Sequence, residues 1–584
     1  MSTPLSRRAF ARLTLAPAAL TLLGGGAAHA AATPAEPARG EVLRAMGRAA
    51  IFLDREVSYR GGYLWSYLPD LSASWGELAA RRSMCWVQPP GTPSVGHSML
   101  DAYHATGAAE FYRAAERTGL ALVAAQLPVG GWNYVHDFAG TAALRRWYET
   151  VGGNGWRLEE FQHHYDNATF DDAGTSAAGQ LILRLYLERR DPRFKAALAR
   201  AIRFVLAAQF CGGVADGGWP QRFPSFAGSV SRTHWPTERP PWLPADVRHG
   251  MEDGEYTRHV TFNDDVLGEN IKFLLLCAST LRRPDLLEPV HRAMRCLQRM
   301  QQPGPQAGWA LQHLSRAAGG RPAGTPAGAR SYEPRALATH TTQTNIRQLF
   351  HYFRLTGDRS YLDRVPEAIA WLGSCPLTGR QLAENPLLAK RTHPTFVELG
   401  TNRALFVHRF GSNIRNGAYY TDHDHRDTLG HYSAGRAIDL DGLRRTYAEL
   451  NSLSGKEIAE LRARSPLTPG TPIPVPRHFS VRELELTDLF RDADPALPTV
   501  PDAEAAALVR DLGGKDHWLT PAEAATNPFQ GRPPADPFHG KDFMSTHVGD
   551  RYDTSPFPPA DRPLVISTGA YVANMAKLIA WADR

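Results

Sequence analysis

The sequence predicts an all-α fold, an α/α toroid built as an incomplete barrel of helical hairpin repeats, with long loops and an irregular C-terminal wrap. The first observation is a recurring segment in which a glutamine at a helix end is followed by Gly-Trp. The tryptophans of its three copies, Trp132, Trp219 and Trp309, are 87 and 90 residues apart. The second observation is a pair of amphipathic helices, joined by a short polar turn, in each unit. This near-constant period indicates stacked repeats.

The arrangement of the repeats has two possible forms. When helix pairs stack around a ring, the loops at one end converge on a central funnel. An open helical solenoid is the alternative. The irregular loops, of roughly 40 residues, fit an enzyme cleft better than a binding solenoid.

The N-terminus has the pattern of a twin-arginine signal peptide over residues 1–30. Arg7 and Arg8 precede an apolar run over residues 13–23, and Ala28-His29-Ala30 forms a small-residue cleavage site. We therefore expect a bacterial protein exported to the periplasm or the medium.

The rest of the chain divides by composition into three parts. Residues 31–40 are rich in alanine and proline and are expected to be a disordered linker, and residues 41–420 carry the repeats. Residues 421–584 form a proline-rich extension, which ends in an apolar helix over residues 570–581 that could complete the ring.

Charge and hydropathy exclude several classes of partner. The net charge of +6 includes three leader arginines, Arg7, Arg8 and Arg12, and no run of basic residues follows, so no nucleic-acid partner is expected. No later stretch approaches the ~20 apolar residues of a transmembrane helix, so no membrane insertion is expected. The five cysteines form no C-x-x-C pair and predict no zinc site. Nothing in the sequence argues for more than a monomer.

Acidic residues begin two helices at equivalent positions of neighbouring repeats. Asp171-Asp172 and Asp264-Asp265 each follow a Thr-Phe pair, and Asp172 and Asp264 are 92 residues apart. In a ring, such starts can face each other across the cleft, and four carboxylates there would suit a hard cation such as Ca²⁺. The alternative is that these acids only cap their helices.

Three further polar clusters lie in loops. Arg330 (within residues 328–335) and Arg403 (within residues 398–403) suggest an anionic substrate, because a guanidinium group matches a carboxylate. As isolated residues, such arginines are more often surface ion-pair partners. Asp422-His423-Asp424-His425 has ligands for a transition metal but no fixed partners for them.

Four segments, taken in chain order, resemble those of the pectic acid lyases of polysaccharide lyase family 10. They are Gly217–Gln221, Val260–Asp265, Arg330–Pro334 and Gly400–Arg403, and the resemblance spans roughly residues 85–420. It implies an α/α toroid, which agrees with the repeats. It also implies cleavage of polygalacturonate, an anionic polysaccharide, by calcium-assisted β-elimination.

The resemblance also implies roles for individual residues. Asp172 and Asp264 would be the calcium- and substrate-site carboxylates, with Asp265 as a further metal ligand. Arg403 would be the Brønsted base, and Arg330 would bind a uronate carboxylate. The remaining residues implied to bind substrate are Trp219, Gln221, Tyr332 and Asn402.

The chain departs from the family pattern in three places. Residues 171–175 read Asp-Asp-Ala-Gly-Thr where Asp-Asn-Gly-Ala-Thr is expected, and residues 166–169 are a rival alignment. Ala404 replaces an expected proline, and an insertion separates Pro224 from Tyr256. These departures affect the exact substrate more than the fold.

The chemistry leaves alternatives open. Arginine is an unusual base, because its solution pKa is above ~12, and Tyr332, Tyr165 and His259 compete for that role. A glycoside hydrolase that uses paired carboxylates on the same toroid is a second hypothesis. A non-catalytic glycan-binding protein, with tryptophans stacked on sugars, is a third. For Trp132 and Trp309 we expect core packing instead.

Overall fold

The computed structural model describes residues 37–150, 167–224, 248–249, 252–410, 418–426, 428, 434–468, 475–493, 495–522 and 563–584. Helices dominate this part of the chain. In chain order they are α1 (Arg39–Phe52), α2 (Thr92–Thr106), α3 (Ala109–Ala125), α4 (Thr141–Thr150), α5 (Gly174–Arg189), α6 (Pro192–Ala208), α7 (Val266–Thr280), α8 (Leu287–Arg299), α9 (Thr339–Thr356), α10 (Val365–Ser374), α11 (Gly379–Glu384), α12 (Leu440–Asn451), α13 (Gly455–Arg464), α14 (Asp502–Leu512) and α15 (Thr568–Ala582).

The strands are short and lie in the loops between the helices. They are β1 (Ser66–Tyr67), β2 (Ser74–Trp75), β3 (Ala79–Ala80), β4 (Met84–Trp86), β5 (Val135–Asp137), β6 (Ala168–Thr169), β7 (Arg222–Phe223), β8 (Arg248–His249), β9 (His259–Thr261), β10 (Gln312–Leu314), β11 (Pro326–Ala327), β12 (Leu337–Ala338), β13 (Phe396–Val397), β14 (Ala404–Phe410), β15 (Ala418–Asp422), β16 (Thr520–Pro521) and β17 (Leu564–Ser567). All of their pairings are antiparallel, and the two largest sheets have the orders β16-β17-β1-β2-β3 and β12-β13-β14-β15-β8.

Four helical hairpins form the predicted repeats: α2–α3, α5–α6, α7–α8 and α9–α10. The inner row runs from α15 through α2 and α5 to α7. Helix α9 follows, since it contacts the turn that precedes α7. Inner helices such as α7 are buried on nearly every face, whereas the outer α6 buries residues spaced three and four apart, as an amphipathic helix does. This arrangement confirms the predicted incomplete α/α barrel.

The three Gly-Trp loops share one structure. Trp132, Trp219 and Trp309 are all fully buried. Each indole Nε1 donates to a carbonyl near the end of the preceding outer helix, at 2.8, 2.7 and 2.9 Å. Each backbone carbonyl accepts the N–H of a residue shortly before the next inner helix, Thr169, Thr261 or Ala338. The loops therefore fix where each inner helix begins.

Glycine is required at two positions of these loops. Gly130 and Gly217 have φ values of 105° and 94°. A Cβ on either would lie within 2.4 Å of the carbonyl oxygen of Arg200 or Arg292 on the next outer helix. Only glycine allows both the left-handed backbone and this close approach.

The C-terminal region packs against the start of the ring. Helix α15 packs beside α2, and β17 pairs with β1. The Asp101 carboxylate on α2 accepts the N–H groups of Phe479 and Ser480 at 2.6–3.0 Å. The boundary predicted after residue 420 falls inside β15.

Several sequence-based predictions concern other features of the chain. The signal peptide and most of the linker lie outside the described residues. In the described part, no helix combines the length and the apolar character needed to cross a bilayer. All five cysteines are free thiols, and those at Cys277 and Cys296 are buried within helices.

Candidate functional site

Two short turns carry the acidic residues. Asp171–Ala173 and Asn263–Asp265 each form a single 3₁₀ turn, directly before α5 and α7. Within these turns Asp172 and Asp264 have φ values of 49° and 48°. Neither helix receives a hydrogen bond from a capping side chain. The alternative interpretation, in which these acids are helix caps, is therefore wrong.

Three carboxylates converge where the turns meet. Oxygens of Asp171, Asp172 and Asp264 all lie within 4.8 Å of one another. Asp171 is buried, while Asp172 and Asp264 are partly exposed. The two helix starts thus face each other as expected, and three of their four acids lie together. We call this group the acidic cluster.

Asp171 is the ion-paired member of the acidic cluster. Arg330 Nη1 lies 3.3 Å from its Oδ2, and the Tyr134 hydroxyl donates to the same oxygen at 2.6 Å. Burial by itself would raise the pKa of Asp171. The guanidinium groups of Arg330 and Arg222 outweigh burial and hold this pKa well below its ordinary value.

Asp264 is in the opposite electrostatic situation. Burial and the negative charges of Asp172 and Asp171 raise the pKa of Asp264 well above its ordinary value, and Arg330 offsets only part of this. The arginines beside the acidic cluster thus do not fully offset the repulsion among its three carboxylates.

Asp265 points away from the acidic cluster. Its Oδ2 accepts a hydrogen bond from Gln348 Nε2 on α9 at 2.7 Å, and its side chain is 6% exposed. The predicted role as a metal ligand is therefore corrected. Asp265 joins α7 to α9, and Asp171 occupies the third position in the cluster instead.

Arg330 is held in place by its own loop. Its Nη2 lies 2.5 Å from Glu333 Oε1, and its backbone N–H donates to Glu333 Oε2 at 3.1 Å. The loop is anchored in turn by Asp253, which binds Arg335 at 2.6 Å and the Gly328 N–H at 2.7 Å. Arg330 itself is 1% exposed.

Three predicted substrate-binding residues have no exposed surface. Trp219 and Tyr332 are 0% exposed, and the Tyr332 ring packs 5.3 Å from that of Tyr419. Gln221 is also 0% exposed, and its Oε1 accepts from Gln312 Nε2 at 3.0 Å. Their predicted contact with substrate is corrected, because a fully buried side chain cannot stack on a sugar or bind to it.

Asn402 and Arg403 lie on a different turn, between β13 and β14. Asn402 has φ 61°, and its Oδ1 accepts from Trp371 Nε1 at 2.8 Å. This contact gives Asn402 a structural role in the turn. The Arg403 side chain is exposed, and among the described residues it makes no ion pair with the acidic cluster.

The possible transition-metal ligands and the competing bases lie in separate places. Within the segment 422–425, Asp422 Oδ1 lies 2.9 Å from His408 Nε2, and His425 Nε2 lies 2.9 Å from Glu384 Oε2. These residues do not converge on one point, and the transition-metal alternative has no geometric basis in the part that the structure describes. The competing base His259 is 5% exposed, and burial lowers its pKa to about 4. Tyr165 lies outside the described residues.

Sequence reasoning missed three residues at the acidic cluster. Gln88 Nε2 donates to Asp172 Oδ2 at 2.5 Å, and Tyr134 contacts both Asp171 and Asp172. Arg222 lies 4.2 Å above the Tyr134 ring. The repeat carried a signal for the first of them, since Gln88 shortly precedes α2 as the acids precede α5 and α7.

The residues of the acidic cluster fit a hard divalent cation. The donors are carboxylate oxygens, which Ca²⁺ prefers. Asp171 Oδ1 is buried and has no hydrogen-bond partner among the described residues. A cation would also relieve the repulsion that raises the pKa of Asp264.

Comparison with known proteins gives one family match. Residues 148–426 match the family described as pectic acid lyase, which confirms the resemblance in this part of the chain. No curated protein sequence matches the chain.

Solved structures show weaker likenesses. A family 10 polysaccharide lyase from Cellvibrio cellulosa is 16% identical, with 63% of this chain and 95% of that chain covered and a TM-score of 0.33. A mutant of that lyase, in complex with trigalacturonic acid, is 17% identical, with 53% of this chain and 86% of that chain covered and a TM-score of 0.32. The GH76A alpha-1,6-mannanase from Salegentibacter sp. HEL1_6 is 13% identical, with 59% of this chain and 71% of that chain covered and a TM-score of 0.31. These TM-scores are low, so the assignment to a family is based on the match over residues 148–426 and not on the solved structures.

Replacing Asp264 by asparagine should stabilise the protein when no divalent cation is bound. The raised pKa means that the folded state binds a proton more tightly than the unfolded chain. The free energy of unfolding therefore falls as the pH rises above the ordinary value of 3.8. In chelator, we expect Asp264→Asn to raise the Tm by about 2 °C at pH 8, and by less at pH 5.

The matched control for this measurement is Asp285→Asn. Asp285 is an exposed acid that is paired with Arg283. We expect its replacement to change the Tm little at either pH. A lower Tm for Asp264→Asn at pH 8 would show that the acidic cluster is not under charge repulsion.

Proposed function

We propose that this polysaccharide lyase, whose residues 148–426 match the pectic acid lyase family, cleaves polygalacturonate by calcium-assisted β-elimination. The observation that carries the proposal is the acidic cluster with Arg330 beside it. Carboxylates for a cation and a guanidinium group for an anion then lie at one place. A uronate polymer presents a carboxylate on every sugar and needs both.

The reaction begins with a weak carbon acid. A base removes the proton at C5 of a uronate, the C5–H electron pair forms a C4=C5 double bond, and the C4–O bond breaks. The departing oxygen then takes a proton. Negative charge develops on the uronate carboxylate in the transition state, and groups that neutralise this charge lower the barrier.

The chain would supply that neutralisation in two ways. Asp172 and Asp264 are the partly exposed acids of the cluster and would hold the cation, with Asp171 buried behind them. When bound, Ca²⁺ would supply positive charge to the uronate carboxylate. Arg330 is buried and paired with Asp171 and Glu333, so it would add positive charge beside the bound carboxylate without contacting it.

The base is proposed to be Arg403, as the resemblance implies. Its side chain is exposed and therefore accessible to a substrate. Arg330 is the other arginine of the four motifs and lies directly at the acidic cluster. The two therefore have to be separated by experiment.

Cleavage should be visible as growth of the ultraviolet band of an unsaturated uronide when the protein is incubated with polygalacturonate. We expect this band in calcium and its loss in chelator, because the cation offsets the carboxylate charge. Reducing ends without the band would favour the hydrolase alternative. No change in either would contradict polygalacturonate as the substrate.

Arg403→Ala should lower kcat by about 10²–10⁴-fold, the usual contribution of a positioned base, with a smaller effect on substrate affinity. Arg330→Lys should mainly raise KM, because it keeps the charge but loses the planar fork. Arg444→Ala is the control, since Arg444 is an exposed arginine paired with Asp441. Near-normal turnover of Arg403→Ala would overturn its role as the base.

We also propose that the protein is exported through the twin-arginine pathway to the periplasm or the medium. Replacing Arg7 and Arg8 together by lysine should retain the protein in the cytoplasm, which cell fractionation would show. Export of that double variant at the normal level would contradict the proposal.

A further inference from the structure

Two side chains from outside residues 148–426 converge on Asp172. Gln88 Nε2 donates to Asp172 Oδ2 at 2.5 Å. The Tyr134 hydroxyl lies 2.9 Å from the same oxygen and 2.6 Å from Asp171 Oδ2. The acidic cluster is therefore in direct contact with residues that the family match does not include.

Gln88 has little freedom to turn. It is 0% exposed, and its Oε1 accepts a hydrogen bond from Trp86 Nε1 at 2.7 Å. Its backbone carbonyl accepts from Trp65 Nε1 at 3.0 Å. Because the indole of Trp86 requires an acceptor, the oxygen of the Gln88 amide faces the indole and the NH₂ group faces Asp172. The amide is thus fixed as a donor to the carboxylate.

Tyr134 is fixed in a comparable way. Its side chain is buried, and Arg222 lies 4.2 Å above its ring. The phenol carries one proton and stands between two carboxylates. It therefore links the carboxylate of Asp171 to that of Asp172.

The backbone explains why Asp172 needs this support. Asp172 and Ala173 have φ values of 49° and 60°, in the left-handed region. For residues other than glycine this conformation costs on the order of 1 kcal/mol each, and it persists where surrounding contacts determine it. The hydrogen bond from Gln88 and the contact with the Tyr134 hydroxyl, both at Asp172 Oδ2, are contacts of this kind.

We propose that Gln88 and Tyr134 are positioning residues that orient Asp172 toward a divalent cation, so that the functional site extends into the first hairpin unit of the chain. The inference rests on the proposed function only in taking the acidic cluster as a cation site. It does not depend on which polymer is cleaved.

The test is calcium binding by the purified protein, measured by titration calorimetry with CaCl₂. We expect Gln88→Leu and Tyr134→Phe each to weaken calcium affinity by about 10–100-fold, the usual effect of removing a hydrogen bond to a metal ligand. The rise in Tm that calcium produces should shrink in both variants. Tyr134→Phe keeps the ring, so it should fold even if Gln88→Leu does not.

Two control variants remove comparable groups elsewhere. Gln298→Leu deletes a half-buried amide that donates to the carbonyl of Ser360 at 2.7 Å. Tyr571→Phe deletes a buried hydroxyl that contacts Met99 Sδ. Both should leave calcium affinity unchanged, because neither group touches the acidic cluster, even where they lower the Tm.

The outcomes separate this inference from the proposed function. Calcium affinity in Gln88→Leu and Tyr134→Phe equal to that of the unmodified protein would overturn the inference. An unmodified protein that binds calcium but does not cleave polygalacturonate would overturn the substrate proposal alone. An unmodified protein without measurable calcium binding would overturn both the calcium step and this inference.

Discussion

The fold depends on a hydrogen-bonding glutamine that recurs once per repeat. Gln126, Gln209 and Gln301 each donate to a carbonyl of their own Gly-Trp loop and to a carbonyl at or before the outer helix of the next hairpin, at 2.7–3.0 Å. One amide thus satisfies two backbone carbonyls from different repeats, which would otherwise lose their hydrogen bonds with water. The bridge fixes the rotation between successive hairpins. Because each loop also determines where the next inner helix begins, the positions of the acids follow from it.

This rotation brings like charges together. Asp172 and Asp264 occupy equivalent positions in consecutive repeats, and the ring geometry places both at the acidic cluster with Asp171. Stability alone would favour an amide or a hydroxyl at one of these positions. The protein keeps three carboxylates there, and its buried arginines outweigh the effect of burial at Asp171 but offset only part of the repulsion at Asp264. A charge imbalance built into a rigid scaffold is typical of a site that binds a cation or a charged substrate.

The sequence predicted the features that arise from a repeating pattern, and it predicted less well the direction in which single side chains point. The spacing of Trp132, Trp219 and Trp309 predicted the toroid, and two matching Thr-Phe-acid segments predicted that their acids would meet. Asp265 was misplaced because a left-handed backbone turns its side chain toward Gln348. Trp219 was misassigned because its buried packing is the same as that of the other two tryptophans. Gln88 has a weaker sequence signal because no Thr-Phe-acid segment precedes α2.

The pairing of β1 with β17 has a consequence for how the protein is made. Ser66 lies opposite Ser567, so this sheet joins segments that leave the ribosome about 500 residues apart. The first hairpin unit, which holds Gln88, cannot acquire its neighbour α15 until that second segment has been synthesised. The packing of this unit is therefore completed long after its own synthesis, however early its individual helices form.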